Sequence, residues 1–127
     1  MTVEELKNAV MFQTNNDTDD LEDFLPYLMD YLNDGYDRLV CVWVGVHPDA
    51  SREDYVPLSE DSDVPATPSW THQAIADWAT WLVYRNGNAQ KQSRGYAYRS
   101  SFEDMLGRIR STGGANGQVR KFYNIPR

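Results

Sequence analysis

The sequence is poor in the residues that bind metals and carry nucleophilic catalysis. Its 127 residues include one cysteine and two histidines. Cys41 therefore has no disulfide partner within the chain, and His47 and His72 fit no recognised zinc spacing. Because Cys41 stands among valines and a tryptophan, we predict a buried small hydrophobe in a reducing compartment. We expect no metal and no cofactor.

Catalytic and membrane signatures are also missing. The sequence contains neither a glycine-rich phosphate-binding loop nor a Gly-x-Ser-x-Gly motif, so a nucleophilic enzyme has no support. No run approaches the roughly 18 apolar residues of a membrane span. The opening Met-Thr-Val-Glu-Glu lacks the basic and apolar parts of a secretion signal. We therefore expect a soluble, cytoplasmically made protein that is not an enzyme and has no membrane partner.

Acidic and basic residues are divided unevenly along the chain. Residues 1–63 hold sixteen acidic and three basic residues, whereas residues 64–127 hold three acidic and nine basic ones. The two parts carry −13 and +6, which gives the net charge of −7. If the fold keeps this division, copies of the chain can attract one another head to tail. If the helices interleave, the charges only solvate several faces.

Hydrophobic spacing predicts a mainly α fold, a small helical bundle of about four helices in one domain over residues 1–112. Apolar stripes and capping residues place the helices at residues 1–10, 20–35, 68–86 and 100–112. The β-branched and aromatic run from Leu39 to Val46 predicts a minor β-element. The stretch from His47 to Pro68, with four prolines, predicts a long loop with a brief strand at Tyr55 to Leu58.

The third predicted helix carries more apolar surface than one core requires. Its core stripe consists of Ile75, Trp78, Ala79, Leu82 and Val83. Trp81 and Tyr84 fall on a neighbouring stripe and widen the apolar face. This excess predicts a surface for another protein chain, unless the N-terminal helix covers it.

Two segments combine basic and aromatic residues, a mixture that is typical of protein interfaces and of nucleic-acid contacts. The first is predicted as a connector before the last helix and contains Lys91, Arg94, Tyr96, Tyr98 and Arg99. The second lies in residues 113–127, which are predicted to be a flexible C-terminal tail behind a glycine-rich hinge, and contains Arg120, Lys121, Phe122, Tyr123, Ile125 and Arg127. We expect the tail to become ordered against a partner. Solvated loops are the alternative for both.

The order of these features is similar to that of a known family. The features are the opening Val3–Lys7, the acidic turn Asp17–Leu21 before a long helix, a proline-led helix containing Ala74–Ile75 and Leu82–Asn86, and Arg94–Tyr98 before a final short helix. In this layout, which spans most of the chain, the sequence resembles the head–tail connector (adaptor, or head-completion) proteins of tailed bacteriophages. None of these motifs is a catalytic signature.

The resemblance implies a virion protein at the head–tail interface that is made in the host bacterial cytoplasm. Copies would form a ring, a dodecamer, that joins the portal protein to the next tail or stopper protein and lets DNA pass non-specifically. Trp81 and Tyr84 would be buried between neighbouring copies, and the tail would reach an adjacent ring. The alternative is a small DNA-binding regulator that uses the basic C-terminal half, although that half shows no clear helix–turn–helix pattern.

Overall fold

The computed structural model describes residues 1–14 and 24–116, which form a bundle of four α-helices without a strand. The helices are α1 (Val3–Gln13), α2 (Leu28–Val46), α3 (His72–Arg85) and α4 (Ala89–Asn116). Short 3₁₀ turns lie at Leu25–Tyr27, Arg52–Asp54 and Ser69–Thr71. The predicted mainly helical bundle is therefore confirmed. The predicted start of a helix near Asp20 and the tail residues 117–127 lie outside the described residues.

Helix α1 begins with a reciprocal cap and packs one apolar stripe against α3. The Thr2 hydroxyl accepts a hydrogen bond from the Glu5 amide at 3.2 Å, and the Glu5 carboxylate accepts one from the Thr2 amide at 2.8 Å. These bonds satisfy two amides that a helix N-terminus otherwise leaves without partners. Val3, Leu6 and Val10 recur at helical spacing and are fully buried, so the stripe holds α1 on the bundle.

Helix α2 includes the segment that was predicted as a strand. Leu32 and Leu39 are fully buried and lie seven residues apart on the same helix face. Gly35 does not end the helix. A Cβ atom there would lie 3.1 Å from Cβ of Trp78, so α2 approaches α3 closely at Gly35. The predicted strand from Leu39 to Val46 is wrong, because burial of the helical stripe outweighs the small strand preference of its valines.

The long loop predicted between the second and third helices is present, and it is fastened along α2. Asn33 accepts a hydrogen bond from the Leu58 amide and donates one to the Leu58 carbonyl, both at 2.8 Å. The Ala66 amide donates to the Tyr36 hydroxyl at 2.9 Å. The brief strand predicted at Tyr55 to Leu58 is wrong. The Tyr55 amide donates to the Arg52 carbonyl within the loop, and Leu58 bonds to the Asn33 side chain of α2 instead of to a neighbouring strand.

Helix α3 is the centre of the bundle and ends at Arg85, as the Asn86-Gly87 pair predicts. Helix α4 packs antiparallel to α3 but is far longer than predicted. It begins at Ala89 instead of Ser100 and continues to Asn116, past the predicted stop at Gly113. Among the described helices, none is both long and apolar enough to cross a membrane.

Candidate functional site

An acidic groove lies between α2 and the loop that follows it. Its volume is about 540 Å³. One wall is a face of α2 that presents three carboxylates, Asp30, Asp34 and Asp37, at successive helical turns. The other residues that line the groove are Asn33, Tyr36, Val40, Arg52, Tyr55 and Pro57. The groove therefore combines negative charge with aromatic and aliphatic surface.

The three carboxylates of the acidic groove have different partners. Asp37 pairs with Arg52, which also donates to the sulfur of Cys41. Asp34 accepts hydrogen bonds from Arg38 at 2.9 Å and from the Trp78 indole at 2.6 Å. Partial burial raises the pKa of Asp34, but these two hydrogen bonds, together with the positive charges of Arg38 and Arg85, outweigh burial and leave the pKa lowered.

Asp30 is the available carboxylate of the acidic groove. It is exposed and makes no ion pair with any described residue.

Cys41, which was predicted to be buried, is exposed at the side of α2. That prediction is wrong because, on a helix, Cys41 lies next to Asp37 on the outward face, whereas Leu39 and Val40 face the core.

A second, neighbouring groove continues the same surface. It has a volume of about 400 Å³ and shares Tyr36 and Pro57 with the acidic groove. Val56 and Val64 belong to its lining, and their exposed fractions are 73% and 55%. Large exposed side chains that are grouped on one concave surface are more typical of a binding site than of a solvated loop.

Charge is separated between elements of the fold. Residues 28–66, which are α2 and its following loop, hold nine acidic and two basic residues, whereas α4 holds five basic and two acidic ones. Two arginines of α4 lie over tryptophan rings. The guanidinium carbon of Arg99 lies 5.5 Å from the ring centroid of Trp81, and that of Arg108 lies 4.5 Å from the ring centroid of Trp70. The division of charge along the sequence thus persists as an acidic surface on one element and a basic surface on another.

Trp81 and Tyr84 are not a spare surface of the chain. Their exposed fractions are 5% and 4%. Tyr96 stacks on Trp81 at 5.1 Å between ring centroids, and Tyr98 stacks on Tyr84 at 6.2 Å. The prediction that Trp81 and Tyr84 are buried between copies is wrong, because α4 of the same chain already covers them; the Tyr84 hydroxyl also bonds to α1, at the carbonyl of Gln13.

The predicted connector is the first part of α4 rather than a loop. Arg94, Tyr96 and Arg99 are exposed on this helix, while Lys91 and Tyr98 are partly buried. The structure therefore brings Tyr96 and Arg99 onto Trp81 and Tyr98 onto Tyr84. The second predicted set, Arg120, Lys121, Phe122, Tyr123 and Ile125, lies outside the described residues.

His72 is a buried polar residue whose environment the sequence does not predict. It is the first residue of α3, and its exposed fraction is 2%. The amino group of Met1 donates to its Nδ1 at 2.8 Å, and its Nε2 donates to the Thr67 carbonyl at 2.7 Å. Burial lowers the pKa of His72, because an imidazolium loses hydration there.

We expect the protein to lose stability as the pH falls below about 6.5, the pKa of histidine in an unfolded chain. Since the pKa of His72 is lowered in the folded state, the unfolded state takes up the proton first, and protonation then favours unfolding. Each unit of lowering corresponds to about 1.4 kcal/mol. Urea titrations at several pH values between about 7 and 5.5 measure this slope. His72→Gln should flatten it, and an unchanged slope would contradict the assignment.

In the described part of the chain, no group of three or more His, Cys, Asp or Glu side chains is arranged to hold a metal ion. No protein-family model, curated protein or solved structure matches the chain significantly.

Proposed function

We propose that this chain is a structural virion protein that forms a ring between the portal and the tail of a bacteriophage and lets DNA pass through it. The observation that carries the proposal is the separation of charge between the acidic surface of residues 28–66 and the basic helix α4. The layout that resembles phage connector proteins supports the same function. The proposal assigns no catalytic step to any residue.

A surface that is acidic on one element and basic on another favours heterologous contacts between copies. In such a contact, the acidic surface of one copy meets a basic surface of the next, and the same contact repeats around an axis. Repetition closes into a ring when the rotation between copies divides a full turn. An acidic surface that faces the channel would repel phosphates and let DNA slide, because tight DNA binding requires many Lys and Arg contacts.

Self-association should therefore depend strongly on salt. We expect oligomers at about 50 mM salt and dissociation toward monomers near 1 M, where the Debye length falls to roughly 3 Å. Sedimentation velocity at several salt concentrations measures this dependence. Electron microscopy of the chain mixed with the portal protein of the same virus should show added ring density. A monomer at every salt concentration together with a bare portal would contradict the proposal.

A DNA-binding regulator is the second candidate, and the five basic residues of α4 favour it. The acidic surface of α2 and its loop opposes it, because this surface repels phosphates. We expect duplex DNA to be retained only weakly and without sequence preference at physiological salt. Sub-micromolar affinity for a particular sequence, measured by gel retention against a scrambled duplex, would favour the regulator instead.

A further inference from the structure

We infer that the acidic groove and the neighbouring groove together bind the C-terminal segment, residues 117–127, of a second copy of this chain. The inference rests on the proposed function, since it supplies a specific contact between copies. It assigns Arg120 and Lys121 of the segment to the acidic groove and the later Ile125 to the neighbouring groove.

The contents of the acidic groove show the kind of side chain that it accepts. Arg52 reaches in from the loop, pairs with Asp37 and also touches the Cys41 sulfur. One part of the groove therefore already binds a guanidinium group. Asp30, seven residues earlier on the same face of α2, remains exposed without a cation from the described residues. A second basic side chain would complete the groove.

The C-terminal segment has the complementary chemistry. Residues 117–127 contain three basic residues and no acidic one. Arg120 and Lys121 are followed directly by Phe122 and Tyr123, so charge and aromatic surface are adjacent. The acidic groove has the opposite charge and also places it beside aromatic and apolar surface, because its carboxylates lie next to Tyr55 and other apolar side chains. Charge complementarity of this kind selects the partner and speeds its association.

The neighbouring groove accounts for the end of the segment. The two grooves meet at Tyr36 and Pro57, so an extended peptide can pass from one into the other. From Lys121 to Ile125, an extended chain spans roughly 13 Å. Ile125 would then reach the exposed Val56 of the neighbouring groove, and both side chains would leave water.

The geometry of the bundle favours a second copy over the chain's own segment. Trp78 contacts both Asp34 and Phe102, whereas Trp70 contacts both Trp43 and Arg108. Helices α2 and α4 therefore run parallel, and the end of α4 points away from the start of α2.

The distances along these helices put Asp30 beyond the reach of Lys121 in the same chain. Asp34 and Phe102 contact the same tryptophan, Trp78, and therefore lie at about the same level along the two parallel helices. At 1.5 Å per residue, Asn116 lies about 21 Å beyond this level in one direction, and Asp30 lies about 6 Å from it in the opposite direction. The five residues from Asn116 to Lys121 span at most about 18 Å, which is less than the separation of about 27 Å along the helix axes. In a neighbouring copy no such limit applies.

Photo-cross-linking of the full chain tests the contact. Benzoylphenylalanine in place of Val56 should react with residues 117–127, and mixing copies that carry light and heavy nitrogen identifies which chain each peptide comes from. We expect cross-links between differently labelled chains. The same probe in place of the exposed Phe12, on α1, is the control and should not capture the segment. Cross-links confined to one chain, or none to the segment, would overturn the inference.

Charge reversal provides an independent measurement. Asp30→Lys should weaken self-association at least about tenfold, and so should Arg120→Glu combined with Lys121→Glu. Mixing these two variants should restore association, because the reversed segment then meets a reversed groove. Asp49→Lys is the matched control, since Asp49 is exposed but lines neither groove. Equal effects of Asp30→Lys and Asp49→Lys, or no restoration on mixing, would overturn the inference.

The two proposals can fail separately. Ring density on the portal without cross-links to the segment would support the proposed ring and overturn the groove contact. Cross-links between copies without any density on the portal would support the groove contact and overturn the connector function.

Discussion

Replacing Phe102 with alanine is expected to lower the free energy of unfolding by about 3–5 kcal/mol. Phe102 is 1% exposed, and its ring lies 4.8 Å from the ring of Trp78. Trp78 in turn bonds to Asp34 of α2, so Phe102 fills the place where α2, α3 and α4 meet. Truncation there leaves a cavity that three rigid helices cannot close completely.

Urea unfolding followed by circular dichroism measures this loss. Phe12→Ala is the matched control, because Phe12 is 81% exposed on α1 and the same truncation should change the free energy of unfolding by no more than about 0.5 kcal/mol. A loss below about 1 kcal/mol for Phe102→Ala would show that Phe102 does not join the helices as described.

Replacing Gly95 with alanine should destabilise the protein by about 1–3 kcal/mol, although alanine is the better helix former. A Cβ atom at Gly95 would lie 2.7 Å from Cβ of Tyr84 and 2.8 Å from Cε3 of Trp81. These atoms are held by the backbone and by a buried ring, so α4 would have to move away from α3. That movement would also loosen the stacking of Tyr96 on Trp81.

Gly107 gives the matched control on the same helix. A Cβ atom there meets nothing within 4 Å, so Gly107→Ala should stabilise the protein by up to about 1 kcal/mol through helix propensity alone. Thermal unfolding of the two variants should therefore shift in opposite directions. Shifts of the same sign and size would indicate that α4 does not pack on α3 through Gly95.

The helices that were correctly predicted are those whose ends carry local signals. Helix α3 ends where Asn86-Gly87 predicts. Of its predicted core stripe, Ile75, Trp78, Ala79 and Leu82 are buried and Val83 is partly buried. Helix α1 buries Val3, Leu6 and Val10, as their spacing indicates. Capping residues and apolar periodicity are properties of neighbouring residues, and they can therefore be identified from the sequence alone.

The errors concern segments whose structure is decided by distant contacts. The valines between Leu39 and Val46 favour a strand locally, but α2 continues through them because Leu39 and Val40 pack into the bundle. Gly95 in a polar, basic segment resembles a loop residue, yet α4 approaches α3 closely at this position. Neither contact leaves a signal in the local sequence, because the partners lie on other helices.

Only part of the candidate site follows from the sequence. The separation of acidic and basic residues is visible in it and persists between α2 with its loop and α4. The grooves are not visible, because they form only when Asn33 and Tyr36 fasten the loop along α2. The surplus of aromatic residues on α3 was assigned to a second chain, whereas Tyr96 and Tyr98 of α4 cover it.

The positions of the tryptophans provide optical reporters for the contacts among α2, α3 and α4. Trp43 and Trp70 lie 6.2 Å apart where α2 meets the start of α3, Trp78 lies where α2, α3 and α4 meet, and Trp81 lies between α3 and α4. Arginines lie over three of the four rings, those of Trp70, Trp78 and Trp81. Separation of α2, α3 or α4 from one another therefore changes the emission of a particular indole, so single-tryptophan variants can report the order in which these three helices separate without an added dye.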